Sequence, residues 1–243
     1  MGKGAAYIYG KNSLLERLKA NPESIRKIFL QENFKDPSVL DAIRKSGVAV
    51  KHVSERELGR IKRAERLQGI AAEVDRFEYA PFEELLDVSA GSSKSLIFLD
   101  NINDPHNLGS MLRVAACFGG FAIVLPRHSS CDVNDTVMHV ASGGENFVSV
   151  AVVGNISNAL RKAKDCGYWI VGTVVEGGQD LDSVTLPFPL CLVLGSEGKG
   201  IRHGIDKQLD CKVTLPMRGA ELSFNVAMAC AIFCHEISRQ RKG

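Results

Sequence analysis

The sequence predicts an α/β protein whose larger part is a parallel β-sheet covered by helices on both faces, preceded by a small α/β module. Three observations predict this fold. Apolar runs rich in β-branched residues recur from residue 96 onward, helical patterns separate many of them, and the first 75 residues alternate helix and strand patterns of their own. Near-continuous apolar strands alternating with helices are typical of parallel sheets buried on both faces. A chain of 243 residues is long enough for two such units.

The small module is predicted over residues 1–75. Leu14, Leu15 and Leu18 form an apolar stripe at helical spacing. The other elements predicted are a strand at residues 25–30, a helix at residues 37–45 and a strand at residues 48–53. Residues 76–95 are predicted to link this module to the larger domain and to end in a loop rich in serine and glycine.

The larger domain is predicted over residues 96–243. Its apolar runs predict strands at residues 96–99, 121–125, 148–153, 169–175, 190–194 and 213–215. Helical patterns are clearest at residues 108–118, 156–164 and 224–239. Because ligands of parallel α/β sheets bind beyond the carboxyl ends of the strands, we expect the functional residues in the loops that follow these strands.

Composition and charge exclude several classes of protein. No apolar run approaches the ~20 residues that span a bilayer, and the N-terminus is too interrupted for a signal peptide. We therefore expect a cytoplasmic protein with no membrane contact. Residues 1–75 hold 15 basic and 10 acidic side chains, whereas the rest of the chain holds 15 and 18. This asymmetry suggests an anionic partner for the small module, although the glutamates interleaved in residues 51–66 fit an ordinary solvated helix equally well.

The seven cysteines include no Cys-x-x-Cys pair, which argues against a disulfide framework. Cys230, Cys234 and His235 could be imagined as metal ligands. A helix that buries two small residues four positions apart is the favoured interpretation. No other set of residues has the spacing of a metal site, so we expect no bound metal.

The loop after the first strand of the larger domain contains Asp104, Pro105, Asn107 and Gly109. We expect Asn107 to cap the next helix, Gly109 to allow close backbone approach, and Arg113 to lie less than two turns further along. An asparagine cap with a nearby arginine suits an anionic or polar ligand at the start of a helix. Simple capping and a surface ion pair are the alternatives.

Two later loops carry comparable signals. Glycines at positions 195, 198 and 200 surround Glu197, which we expect near a bound ligand, but the loop fits neither the Walker pattern nor GxGxxG. An ordinary glycine-rich turn is the alternative. The other loop places Ser223 and Asn225 at the start of the last helix, where one of them is sufficient for capping.

Together the three loops resemble the signature motifs of the SpoU family of RNA ribose 2′-O-methyltransferases, in the SPOUT superfamily. The matching residues are Asp104, Pro105, Asn107, Gly109 and Arg113 in the first motif, Gly195, Glu197 and Gly200 in the second, and Pro216, Ser223, Asn225 and Val226 in the third. The resemblance covers almost the whole chain, since residues 1–75 are similar to the L30e-like substrate-binding domain of many members. Leu67 stands where most members have histidine.

The resemblance implies methyl transfer from S-adenosylmethionine to a ribose 2′-hydroxyl, most closely that of a guanosine in 23S ribosomal RNA. It also implies a C-terminal trefoil knot and a homodimer in which each active site is completed by the partner chain. The catalytic residues that it implies are Asn107, Arg113, Glu197, Ser223 and Asn225. The residues that it implies for holding the cofactor are Thr173, Val174, Glu176, Gly195, Gly200, Ile201, Leu215, Met217 and Phe224.

Three other functions are weighed against this one. Within the family, the substrate could be a ribose of transfer RNA. An RNA-binding protein could have kept the fold and lost activity, although the intact residues of the three motifs argue against this. A nucleotide-dependent oxidoreductase is the third, and the missing GxGxxG pattern argues against it.

Overall fold

The structure is a computed structural model that describes residues 6–64, 67–86, 94–196, 198, 200–219 and 222–241. The strands are β1 (Ala6–Tyr9), β2 (Ile25–Gln31), β3 (Val50–Val53), β4 (Ile70–Val74), β5 (Ser95–Leu99), β6 (Phe121–Pro126), β7 (Ser149–Val153), β8 (Trp169–Thr173), β9 (Gln179–Asp180), β10 (Leu190–Leu194) and β11 (Cys211–Thr214). The helices are α1 (Lys11–Ala20), α2 (Pro37–Ser46), α3 (Glu55–Ile61), α4 (Phe82–Leu85), α5 (Pro105–Phe118), α6 (Asp135–Ala141), α7 (Ile156–Asp165), α8 (His203–Asp206) and α9 (Val226–Arg241), with 3-10 turns at Pro22–Ser24 and Gly144–Asn146.

The small module folds around a sheet with the strand order β1-β4-β2-β3. Strand β2 pairs with β3 in parallel, whereas β4 is antiparallel to both of its neighbours. The strand predicted at residues 48–53 begins two residues later, because α2 ends at Gly47 in the left-handed conformation and the chain must first turn back. The elements predicted at residues 25–30 and 37–45 are confirmed within one residue at either end.

The larger sheet has the order β7-β6-β5-β10-β8-β11-β9, and all its neighbouring strands are parallel. The predicted parallel sheet is therefore confirmed. Alternating side chains of β5, β6, β7, β8 and β10 enter two separate cores, as the period of two requires. In β5, Ile97 and Leu99 pack with α5 and α9 on one face, whereas Leu96 and Phe98 pack with α4 and α7 on the other.

Some elements differ from those predicted for the larger domain. The strand predicted at residues 169–175 ends at Thr173, where the chain leaves the sheet for a turn at Gly177. Helices α6 and α8 were not predicted. Cys230 and Cys234 are fully buried on α9, as the favoured interpretation expected, with their sulfur atoms 3.9 Å apart.

The segment after the small module packs onto the larger sheet. The backbone N–H of Ala80 donates to the carbonyl of Val150 at 2.8 Å. Phe82 and Leu85 are buried in the core on the α7 side. Strand β5 begins at Ser95, the last residue of the predicted linker, and residues 87–93 lie outside the described part of the chain. The boundaries of the linker stay a prediction.

Several side-chain contacts join the small module to the larger domain. The rings of Tyr9 and His139 stack with their centroids 3.9 Å apart. Lys62 forms a salt bridge with Asp135, so this member of the basic stretch contributes to the contact between the two parts of the chain. Arg17 and Glu145 form a buried ion pair at 3.5 Å. Burial raises the pKa of Glu145 and lowers the pKa of Arg17.

The end of α9 is fastened to the amino edge of the larger sheet. Arg241 donates to the carbonyl of Gly120 at 2.9 Å and to the hydroxyl of Ser95, and its guanidinium lies 5.1 Å from the ring centre of Phe121. The amide of Gln240 donates to the carbonyl of Val184 at 2.9 Å. The C-terminal end of helix α9 therefore lies at the amino ends of β5 and β6. No helix in the described residues is long and apolar enough to cross a membrane.

Candidate active site

A cleft of about 540 Å³ opens at the carboxyl edge of the larger sheet, beyond β8, β10 and β11. Its volume falls in the range of small-molecule sites. Eight of the nine residues that the resemblance implies for the cofactor line this cleft, together with Ser223 of the third motif: Thr173, Val174, Gly195, Gly200, Ile201, Leu215, Met217 and Phe224. The ninth, Glu176, is exposed and does not line the cleft.

The glycine loop of residues 195–201 forms one wall of the cleft. A Cβ atom on Gly195 would lie 2.2 Å from the backbone carbon of Gly200, so no side chain fits there. The N–H of Gly200 donates to the carbonyl of Ser196 at 2.9 Å, and both Gly198 and Gly200 have positive φ. The loop therefore presents backbone to the cleft. Glu197 lies outside the described residues.

The base of the glycine loop is fixed by a residue that the sequence reasoning did not select. Asp100, at the end of β5, is fully buried. Its carboxylate accepts from the backbone N–H of Arg202 at 3.0 Å and from the guanidinium Nε of the same residue at 2.7 Å. The position of an aspartate directly after an apolar strand was a signal available in the sequence.

Helix α5 begins differently from the prediction. Asp104 is the cap, and its carboxylate accepts from the N–H of His106 at 2.8 Å. The prediction that Asn107 is the cap was wrong. Pro105 has the fixed φ of a first helical residue and lacks the N–H that would go unpaired there, so the residue before it takes the capping position. Asn107 lies within the first turn of α5, and its side chain accepts a hydrogen bond from a partner elsewhere in the chain.

That partner is Asn225, which lies 118 residues later in the chain. The Asn225 side-chain N–H donates to the side-chain oxygen of Asn107 at 3.0 Å. The Asn225 oxygen accepts from the N–H of Ala227 at 2.9 Å and so caps α9. Of the two residues expected to cap this helix, the structure thus selects Asn225. The first and third motifs meet where α5 and α9 start.

Arg113 is exposed on α5, about 9 Å along the helix axis from Asn107. Its guanidinium makes no hydrogen bond or ion pair within the part of the chain that the structure describes. It does not line the cleft of this chain. The backbone of Arg113 packs closely against Gly144. A Cβ atom at position 144 would lie only 2.9 Å from the Arg113 Cα. Gly109 gives the expected close approach, and its neighbour is Val140 of α6.

Exposed basic side chains remain on the small module. Four of them lie on or beside β3 and α3, namely Lys51, Arg56, Arg60 and Arg63. Arg66 lies outside the described residues. Elsewhere, no group of three or more His, Cys, Asp and Glu side chains is arranged to hold a metal ion among the residues described.

Comparison with known families gives two matches that together span most of the chain. The SpoU rRNA Methylase family matches residues 94–235. The family described as RNA 2′-O ribose methyltransferase substrate binding matches residues 7–80.

Curated relatives match over nearly their full length. A 23S rRNA (guanosine-2′-O-)-methyltransferase RlmB of Nitrosomonas europaea is 37% identical, over 96% of this chain and 91% of its own. The enzyme of the same name from Ralstonia nicotianae is 34% identical, over 96% and 95% of the two chains.

Solved structures share the fold. The SpoU methyltransferase AviRb from Streptomyces viridochromogenes in complex with AdoMet has a TM-score of 0.80 at 18% identity, covering 98% of this chain and 91% of its own. An AdoMet-bound rRNA methyltransferase from Sinorhizobium meliloti has a TM-score of 0.77 at 21% identity, covering 98% and 87%.

Proposed function

The chain belongs to the SpoU rRNA methylase family, and from this membership we propose that it transfers a methyl group from S-adenosylmethionine to a ribose 2′-hydroxyl of ribosomal RNA. The observation that carries the proposal is the cleft walled by the glycine loop, beside the contact between Asn107 and Asn225. The names of the curated relatives favour a guanosine of 23S RNA as the acceptor. The enzyme acts in the cytoplasm, where ribosomal RNA is available to it.

The residues of the cleft fit S-adenosylmethionine. Backbone groups of the glycine loop can hydrogen-bond the polar parts of the cofactor, because Gly195 leaves no side chain in the way. Leu215, Met217 and Phe224 supply apolar surface for its adenosine portion. When bound, S-adenosylmethionine supplies a methyl group on a positively charged sulfur.

The protein must then bring a ribose hydroxyl to that methyl group and help it to release its proton, which passes to solvent water because no side chain is assigned to accept it. A hydroxyl is a weak nucleophile near neutral pH, so orientation and stabilisation of the developing negative oxygen are what the side chains contribute. Arg113 is suited to the second task. A guanidinium stays protonated in proteins, so we assign it to stabilising the alkoxide and not to accepting the proton. Asn107, Ser223 and Asn225 orient the hydroxyl and the loop, and we keep Glu197 as a candidate for arranging the loop.

The small module binds the RNA substrate. Its match to a substrate-binding family and its exposed basic residues around β3 and α3 support this role. Lysine and arginine contacts to phosphates position a folded RNA without reading its bases, and the 2′-hydroxyl distinguishes RNA from DNA.

We also propose that the active enzyme is a homodimer. Arg113 does not line the cleft of its own chain, which supports a site completed by the partner subunit. On α9, Met228 is 63% exposed and Ile232 is 38% exposed, next to cleft residues of the same helix. Exposed apolar side chains at helical spacing are typical of an interface between subunits.

Methyl transfer from radiolabelled S-adenosylmethionine to 23S, 16S and transfer RNA tests the function. We expect label on a ribose of 23S RNA. Arg113→Ala should lower the rate by roughly 100-fold or more, the usual size of one electrostatic contribution, while cofactor binding persists. Arg161→Ala, at an exposed arginine of α7, is the matched control and should stay active.

Label on transfer RNA alone would support methyl transfer to RNA but contradict ribosomal RNA as the substrate. Cofactor binding without label on any RNA would indicate a binding protein.

The dimer is tested by mixing two inactive variants, Arg113→Ala and Gly195→Ala. If sites are shared, mixed dimers regain about a quarter of the natural activity, since half of the dimers then have one intact site. No recovery would contradict a shared site.

A further inference from the structure

Asp100 holds both ends of the glycine loop. Its backbone N–H donates to the carbonyl of Leu194 at 2.8 Å, directly before the loop begins. Its carboxylate accepts from the N–H of Arg202 at 3.0 Å, directly after the loop ends. The guanidinium of Arg202 adds contacts to the same carboxylate at 2.7 Å from Nε and 2.6 Å from Nη2. One fully buried residue of β5 thus closes the base of a loop that belongs to β10.

The loop needs such a closure because glycine gives it many alternative conformations. Gly195, Gly198 and Gly200 lose more backbone freedom on ordering than any other residues would. Within the described part of the loop, the hydrogen bond between Ser196 and Gly200 joins the two arms of the loop to each other but does not attach them to the sheet. The charge-assisted hydrogen bonds between Asp100 and Arg202 restrict the positions that the first and last residues of the loop can take.

The same aspartate also begins the segment that leads to α5. Asn101 follows it with positive φ, and Asp104 then caps the helix that carries Asn107. The cofactor loop and the helix of the first motif are therefore anchored at one point.

We propose that Asp100 is a positioning residue for cofactor binding, which acts through Arg202 to hold the glycine loop in the shape that receives S-adenosylmethionine. This inference rests on the proposed function of the cleft. Neither residue lines that cleft, so neither is assigned a part in the chemistry.

Asp100→Asn is the variant that tests this role. It keeps the size of the side chain and one acceptor, but it turns an amide N–H toward the donors of Arg202. Because the Arg202 side chain is 57% exposed, its guanidinium stays hydrated when the charge of its partner is lost. Arg202→Ala would instead leave a buried carboxylate poorly compensated and unfold the chain more readily.

The larger domain offers a matched control at Asp210. Its carboxylate likewise accepts from a backbone N–H, that of Ile170 at 2.7 Å, and pairs with a cation, Lys164, at 2.6 Å. This arrangement lies at the amino edge of the sheet, away from the cleft. Asp210→Asn thus weakens a similar set of contacts, at a side chain that is 24% exposed, without touching the loop.

Isothermal titration of S-adenosylmethionine measures the effect without RNA. We expect Asp100→Asn to raise the dissociation constant about tenfold, as loss of one charge-assisted hydrogen bond predicts, and Asp210→Asn to leave it within twofold of the natural chain. In turnover, Asp100→Asn should raise KM for the cofactor more than it lowers kcat.

Equal dissociation constants for Asp100→Asn and the natural chain would overturn the inference, and so would an equal loss in both variants. Failure of the natural chain to bind the cofactor would instead overturn the proposed function. If Asp100→Asn does not fold, Arg202→Lys decides, because it keeps the charge and the backbone contact but loses the Nε donor. A threefold or larger rise in its dissociation constant supports the inference, and no rise overturns it.

Discussion

Asn225 joins two motifs with a single side chain. Its oxygen caps α9 and its N–H reaches Asn107 at the start of α5. The sequence identified both asparagines through their motifs, but a contact between residues 118 positions apart has no local signal. The error over the cap of α5 was avoidable, since aspartate followed by proline is itself a sign of a helix start.

Asn225→Ser separates the two tasks of this side chain. Serine caps a helix about as well as asparagine, so the melting temperature should change little. Its hydroxyl is too short to reach Asn107, so methyl transfer should fall by about 100-fold, the size of a misplacement near 1 Å. Asn225→Ala should lose the same activity and also about 1 kcal/mol of stability. Thermal melts and methyl-transfer rates measure both effects. Full activity of Asn225→Ser would show that the contact is dispensable.

At the scale of elements, the long buried strands were predictable and the short helices were not. Strands β5, β6 and β10 are continuous apolar runs, and parallel sheets buried on both faces produce this pattern. Helices α6 and α8 span seven and four residues, too few for a helical period to appear. The glycine loop was predicted as a functional loop, but its anchor on Asp100 depends on strand order, which places β10 beside β5.

The space around two helical glycines predicts opposite effects of replacing them by alanine. A Cβ atom on Gly109 would lie 2.7 Å from the Val140 Cβ and 2.8 Å from the Val137 carbonyl oxygen. Gly109→Ala should therefore destabilise the protein by roughly 1–2 kcal/mol, because overpacking outweighs the better helix propensity of alanine. Gly59 of α3 has open space around its Cβ position, so Gly59→Ala should stabilise by up to about 1 kcal/mol. Urea unfolding measures both, and stabilisation by Gly109→Ala would contradict the packing argument.

At the scale of the whole molecule, the charge count identified the excess of basic side chains in the small module. It could not show that two of these side chains form ion pairs with the larger domain. Arg17 and Lys62 contributed to the basic excess, yet both are committed to acidic partners on the larger domain. Sequence cannot reveal such pairing, because Glu145 and Asp135 lie more than 70 positions away from them. The net charge of a segment therefore overstates the positive surface that remains for RNA.

We expect the buried pair of Arg17 and Glu145 to stabilise the fold less than apolar side chains of similar volume would. Burial shifts the pKa of each group toward its neutral form, so desolvation outweighs their attraction at 3.5 Å. Replacing both, as Arg17→Met with Glu145→Leu, should raise the free energy of unfolding by ~1–4 kcal/mol. Urea unfolding near pH 7 measures it. Asp41→Asn at the exposed pair with Lys45 is the control and should change stability very little.

The gain should depend on pH in a defined direction. The pKa of Glu145 is raised above its ordinary 4.5, so the folded state holds this proton more tightly than the unfolded state does. That contribution to the natural chain is complete below pH 4.5 and is lost as the pH rises through the folded pKa. The advantage of the double variant should thus grow from about pH 4 to about pH 7. An advantage that shrinks over this interval would contradict the assignment.

Because α9 follows the small module in the chain, a ribosome synthesises the small module before the helix that begins at the active site. The substrate-binding match ends at residue 80, whereas Asn225 and the helix that it caps come almost 150 residues later. At roughly 5–20 residues per second, that interval is on the order of ten seconds. A nascent chain therefore exposes its RNA-binding module well before the first and third motifs can meet. The small module can therefore fold before the contact between Asn107 and Asn225 can form, and synthesis of α9 is what completes this part of the active site.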